Sequence, residues 1–168
     1  FTVYRINSKQ FYLVSAGSFD RHDFDYLSKA CPADGTVQLR NITESYGVFV
    51  IAGPDSRSLL KKLTDTDLST DAFPWLSGQN IRLGDAEVKA IRVNFVGELG
   101  WELHHPIEYQ NHIFDNLMAA GQDMGLKPFG IRAMDSLRIE KSYRLVGTEL
   151  SIEYAALESG LDRFVHLN

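Results

Sequence analysis

The chain has 168 residues, 44% of them apolar, and a formal net charge of -5. That composition can bury one core or one and a fraction. The acidic balance, with no basic stripe, excludes nucleic acid as a main partner. No run approaches the roughly 20 apolar residues of a membrane helix, and the N-terminus lacks the regions of a signal peptide. Cys31 stands alone, which rules out an internal disulfide or a cysteine metal cluster and points to a reducing compartment. The cytoplasm, or the mitochondrial matrix in a eukaryote, is the expected location.

In chain order, Thr2 to Ile6 and Phe11 to Ala16 are β-rich, and Asn7-Ser8-Lys9 between them has turn chemistry, so a hairpin is predicted. Asp20 and Asp23 mark a helix start. Phe24, Leu27 and Ala30 follow at helical spacing before Pro32 and Gly35. Val37 to Ile42 returns to strand character, and the polar Thr43-Glu44-Ser45 is the predicted joint between subdomains. Residues 1–43 read as the C-terminal part of a first subdomain and 44–168 as a second.

Tyr46 to Ala52 is a buried-strand pattern that runs through Gly53-Pro54-Asp55 to Leu59, Leu60 and Leu63, predicting strand, turn and helix with Pro54 in the first helical turn. Ala86 to Val96 and Trp101 to His105 are two further strands, joined by Gly97-Glu98-Leu99-Gly100 in a tight hairpin. Ile107 to Gly121 carries Ile113, Phe114, Leu117 and Met118 at helical intervals. Ile131 to Lys141 is a second helix with Met134 and Leu137 inward. This order predicts an α+β fold, helices on one face of an antiparallel sheet in a split βαβ, ferredoxin-like manner. Phe1-Thr2-Val3 opens the chain strand-like and Leu161 to Asn168 closes it extended, so both ends are expected inside a larger fold.

Some chemistry is weak from the outset. His104 and His105 are adjacent on a strand, face opposite sides and cannot share one metal, so a solvated or core-edge role is expected. Asp20-Arg21-His22-Asp23 reads as helix-start chemistry. No GxGxxG follows a strand, so FAD or a nicotinamide would sit outside this chain.

Four stretches resemble one family in order and spacing. They are Val50 to Pro54, Gly97 to Leu103, Gly130 to Glu140, and Gly147-Thr148-Glu149-Leu150 with Glu158-Ser159-Gly160-Leu161. Together they resemble the folate-binding aminomethyltransferases typified by the glycine-cleavage T-protein. Gly100-Trp101-Glu102-Leu103 and Arg138-Ile139-Glu140-Lys141-Ser142-Tyr143-Arg144 are more similar to the folate domain of dimethylglycine and sarcosine dehydrogenases. The resemblance implies tetrahydrofolate as cofactor and a small methylated amine as substrate, with FAD in another part of the parent protein. A lipoyl carrier protein would be a partner only in a true T-protein. A sulfonium-directed demethylase is a further alternative. A non-catalytic folate-binding accessory protein is another, but its Lys-Gly-Cys-Tyr-x-Gly-Gln-Glu motif does not occur here.

A reduced pterin presents neighbouring N–H donors along one edge, which a carboxylate held on a strand can accept side by side. Glu102, flanked by inward Trp101 and Leu103, is the first candidate and Glu98 the second, with Trp101 also named as a cofactor contact; the competing reading makes Glu98 a turn residue and Glu102 an ordinary solvated one. Arg138 and Tyr143 are candidates for the folate tail and benzoyl ring, although Asp135 and Arg138 are also i,i+3 neighbours suited to a local ion pair. T-proteins read Ala-Arg-Asp where this chain has Ala133-Met134-Asp135, and they carry Asn where it has Ser15, a shorter hydrogen-bonding group. The family's catalytic Asp would fall immediately before Phe1. The chain by itself is therefore expected to lack transferase activity and to hold folate weakly.

Overall fold

A computed structural model describes residues 1–166. Apolar residues alternating with polar ones along four segments create a sheet with one strongly apolar face: β3 (Tyr46–Ala52), β4 (Gly78–Leu83), β5 (Ala86–Ile91) and β6 (Gly100–Pro106). Every pairing is antiparallel, and the strand order is β3-β6-β5-β4. β3 and β5 both run against β6, so they are parallel to each other on either side of it, and the chain passes between them through α2 (Ser56–Leu60) and the edge strand β4. This is the split βαβ arrangement expected from the sequence.

The apolar face carries Ile51, Ile81, Leu83, Val88, Trp101 and Leu103. It is covered by Leu59 and Leu60 of α2, by Ile113 and Leu117 of α3 (Gln110–Ala120), and by Leu68 and Phe73 of the connection into β4. Phe73 is fully buried with its ring set edge-on to Trp101, centroids 6.0 Å apart. The other face is covered by the hairpin of β1 (Thr2–Arg5) and β2 (Phe11–Val14), paired from Thr2↔Val14 to Arg5↔Phe11. The Tyr4 hydroxyl donates to the Gly78 carbonyl at 2.9 Å, and its ring lies where a Cβ on residue 78 would stand, so glycine is what lets the hairpin sit down on β4. Lys89 places its ammonium 5.4 Å from the Tyr4 ring and 5.6 Å from the Tyr12 ring, a cation between two phenols. α1 (Asp20–Ala30) follows the hairpin where the sequence predicts it.

Some expectations are corrected. Val37–Ile42 forms no strand; the Asn41 side chain ties it down instead, donating to Asp20 and accepting from the Thr43 backbone amide. β5 stops at Ile91 instead of reaching Val96, and the 92–99 segment is a loop, not a tight two-glycine hairpin. Asn94 organises that loop: its side-chain oxygen accepts from the amides of Val96 and Gly97, and its NH2 donates to the Glu98 carbonyl. β4 has no counterpart in the sequence reading, and α2 starts at Ser56, leaving Pro54 in the preceding turn. Near the C-terminus, Asp162–Phe164 form a 3-10 turn where extended chain is predicted; residues 167–168 of that stretch lie outside the described residues.

α4 (Ile131–Glu140) turns a charged residue inward. Met134 and Leu137 are only half-buried, whereas Arg138 is 3% exposed and donates to Asp135 at 2.7 Å, to Glu149 at 2.7 Å and to the Tyr143 carbonyl at 2.9 Å. Glu149 also accepts from the Leu145 amide, and this bond, followed by the Arg138 bond, holds its carboxyl below the usual range. The knot pins the irregular 141–150 chain to α4.

Two outcomes follow for stability. Phe73→Ala, which leaves an aromatic-sized void against Trp101, is expected to cost about 3–5 kcal/mol in denaturant unfolding; a loss under about 1 kcal/mol would place Phe73 outside the core. A carboxyl lowered in the folded state contributes above its unfolded pKa and stops contributing as pH falls through the folded value. Protection of the amides of residues 141–150 against exchange, relative to the unfolded chain at the same pH, is therefore expected to fall below the ordinary carboxylate range, and in Arg138→Met already at neutral pH. Unchanged protection in Arg138→Met would contradict the pinning role.

Candidate functional site

β6 is a central strand, so its side chains alternate between two covered faces. Trp101, Leu103 and His105 enter the helix-covered core. Glu102 and His104 point to the hairpin side. His104 is 1% exposed, so both ring nitrogens need partners, and they have them: Nδ1 lies 3.2 Å from the Tyr12 hydroxyl and Nε2 lies 3.1 Å from Oε2 of Glu102. The Tyr12 ring meets the imidazole edge-on, centroids 5.4 Å apart. Burial above all, then the nearby Tyr46 and Glu102, pushes the Tyr12 phenol up to about 12, so it stays protonated. Glu102 keeps 21% of its side chain accessible.

A cavity of about 230 Å³ opens beside this row. Its walls include Tyr12, Ser15, Asp23, Arg40, Tyr46 and His104. Glu102 stands behind His104 rather than on the wall. The hydrogen bond from His22, with a smaller contribution from Ser15, keeps the Asp23 carboxyl below its usual range. The cavity thus sets a hydroxyl, two phenols, carboxylates and a guanidinium among apolar neighbours such as Phe24, Leu27 and Val48, a mixed lining suited to a heteroaromatic ligand, with the His104 ring nitrogens already occupied.

The other candidates lie elsewhere. Glu98, on the 92–99 loop, is 3.0 Å from Lys141 Nζ at the end of α4. Tyr143 packs against Phe95 of the same loop, ring centroids 6.2 Å apart. Together with Arg138 they form a second cluster, in which the guanidinium makes the ion pair with Asp135 and a further one with Glu149. Trp101 has no exposed surface and sits in the core, with the guanidinium groups of Arg57 and Arg92 at 5.9 and 5.8 Å from its ring. Ser15 and Glu102 are therefore the two candidates that the fold brings to the hairpin side of the sheet.

Sequence reasoning missed Tyr12 and His104, and both histidines are buried rather than solvated. His105 faces the opposite side: its Nδ1–H donates to the Leu103 carbonyl at 2.9 Å, its Nε2 lies 2.8 Å from the Gln110 side-chain amide, and its ring is stacked on Phe49 at 5.1 Å. The available signal was two polar residues at i,i+2, Glu102 and His104, on a strand whose alternate residues are all core. Among the described residues no group of three metal-ligating side chains occurs. A larger groove of about 630 Å³ runs between the outer edge of β3, α3 and α4, and its walls are apolar, with Phe114, Met118, Met124, Phe129 and Met134 among them.

Comparison with known proteins gives a consistent result. The chain is 39% identical to rat dimethylglycine dehydrogenase, mitochondrial, over 168 residues, which is 99% of the chain and 20% of that protein. It is 40% identical to mouse sarcosine dehydrogenase, mitochondrial, over 152 residues, 90% of the chain and 16% of the relative. An aminomethyltransferase of Thermoanaerobacter sp. (strain X514) is 34% identical over 163 residues, 97% of the chain and 44% of the relative. The chain thus spans about a fifth of the length of the dehydrogenases it matches. In structure it is similar to the heterotetrameric sarcosine oxidase from Corynebacterium sp. U-96, solved with pyrrole 2-carboxylate. The TM-score is 0.61 at 18% identity, covering 76% of this chain and 63% of that one, and this likeness supports the fold. The family model of the GCVT N-terminal domain matches residues 1–168, and the chain belongs to that family.

Proposed function

We propose that this chain is the tetrahydrofolate-binding part of an enzyme that captures the one-carbon unit released when an N-methylated glycine is oxidised. Membership of the GCVT family and the 39–40% identity to dimethylglycine and sarcosine dehydrogenases support the reading. The observation that carries it is the Glu102 carboxylate on the hairpin side of the sheet, anchored through one oxygen to buried His104 with 21% of its side chain accessible, while His104 itself lines the neighbouring cavity. A carboxylate so placed suits the paired N–H donors of an aminopyrimidinone edge. Ser15 supplies a short hydrogen-bonding group on the same side.

Tetrahydrofolate, when bound, supplies the nucleophilic nitrogen that takes up the one-carbon unit as 5,10-methylenetetrahydrofolate. The contribution of this chain is orientation and exclusion of water. Ligand pockets usually span about 300–1,000 Å³, so a cavity of about 230 Å³ grips only part of a folate. In this reading the rest of the enclosure and the oxidising flavin belong to other parts of the protein. In a eukaryotic source the mitochondrial dehydrogenases favour the matrix as location. The identity to aminomethyltransferases supports a second reading, glycine cleavage with a lipoyl carrier as partner. Formation of methylenetetrahydrofolate from dimethylglycine or sarcosine, without a carrier protein, separates the two.

In the complete protein, Glu102→Gln is expected to weaken tetrahydrofolate binding by roughly 1.5–3 kcal/mol, the worth of a charged hydrogen bond. Calorimetry showing unchanged affinity would take Glu102 out of the site. The 168-residue chain by itself is expected to bind tetrahydrofolate more weakly than micromolar, and tighter binding would show that the pocket is complete within it.

A further inference from the structure

His104 is an ionisable residue at a position where an apolar one would pack more cheaply, because a buried imidazole needs both nitrogens satisfied. It is 1% exposed, and the groups around it come from four strands. Tyr12 reaches it from β2, Tyr46 and Val48 stand on β3, Lys89 is its cross-strand neighbour on β5, and Glu102 precedes it by two on β6. Only Tyr12 and Glu102 bond to it. The order of the three groups fixes the hydrogens. A carboxylate oxygen accepts only, so the imidazole nitrogen 3.1 Å from Glu102 must carry a proton; a bare nitrogen there would set lone pair against anion. The Tyr12 hydroxyl, which can donate or accept, then satisfies Nδ1 at 3.2 Å.

We propose that His104 is a positioning residue for Glu102: its Nε2–H holds one carboxylate oxygen, Tyr12 locks the ring from the other side, and the second oxygen is left oriented for the ligand. The inference rests on the folate reading above and adds to it what sets the geometry of the acceptor. A glutamate with 21% of its side chain accessible would otherwise sample several rotamers, and a ring wedged between β6 and the hairpin has none to sample. The device also links the two layers: Tyr12 belongs to β2 and Glu102 to β6, so seating the hairpin and aiming the carboxylate are one event.

The test is a double-mutant cycle on tetrahydrofolate affinity in the complete protein. His104→Leu is expected to lose about tenfold, and His104→Gln, whose amide can donate in place of Nε2–H, to stay within about threefold of the parent. Because His104 acts through Glu102, the His104→Leu loss should vanish when Glu102→Gln is already present. Should His104→Leu fail to fold, Tyr12→Phe keeps the ring and removes only the hydroxyl; a loss of roughly threefold, absent in the Glu102→Gln background, carries the same information. The 15N shifts of His104 supply a ligand-free readout: a protonated Nε2 supports the assignment and a bare Nε2 overturns it. Additive losses, or no recovery in His104→Gln, overturn the positioning role while the folate reading stands. No loss in Glu102→Gln itself removes that reading and the positioning role together.

Discussion

Both faces of β6 are covered. Helices and the long connection into β4 cover one face, the β1–β2 hairpin covers the other, and two consecutive histidines, His104 and His105, end up buried back to back. Each must find hydrogen bonds within its own layer. His105 finds them in the Leu103 carbonyl and in Gln110 of α3, so it fastens the helix layer. His104 finds them in Tyr12 and Glu102, so it fastens the hairpin layer and organises the polar side of the sheet. The candidate site thus exists because a central strand was made polar on one face and then covered.

How much of this the sequence reveals depends on how local the cause is. β1, β2, β3, α1, α3 and α4 are legible because each carries its own periodicity and punctuation, such as Asn7-Ser8-Lys9 between the first two strands and Pro32 after α1. β4 is hidden because Gly78-Gln79-Asn80 carries no apolar alternation; Gly78 is there for the Tyr4 ring, a contact made across 74 residues. Val37–Ile42 has strand composition but no partner strand, and composition does not supply one. The 92–99 loop was misread as a hairpin because its glycines are conspicuous, whereas the residue that shapes it is Asn94.

The candidate site follows the same rule. Glu102 was identifiable from strand alternation, since its neighbours are apolar and it is not. Its bond to His104 is also local, but the burial of His104 depends on a hairpin laid down by residues 2–14. Arg138 shows the reverse. The i,i+3 pair with Asp135 was visible in the sequence, while the second carboxylate, Glu149, arrives from a segment with no regular structure to announce it. Of the six site residues named from the sequence, the fold gathers Ser15 and Glu102 on one side of the sheet and Glu98, Arg138 and Tyr143 near the end of α4.

The apolar groove along β3 has a chemical consequence of its own. All three methionines of the chain, Met118, Met124 and Met134, line that single trough, each half-buried. Thioethers make an adaptable surface, but peroxide converts them to polar sulfoxides. Oxidative damage of this kind would not be scattered over the molecule. It would fall on one wall, turning the trough hydrophilic, and would reach the Trp101 core only through Met124, which packs against it.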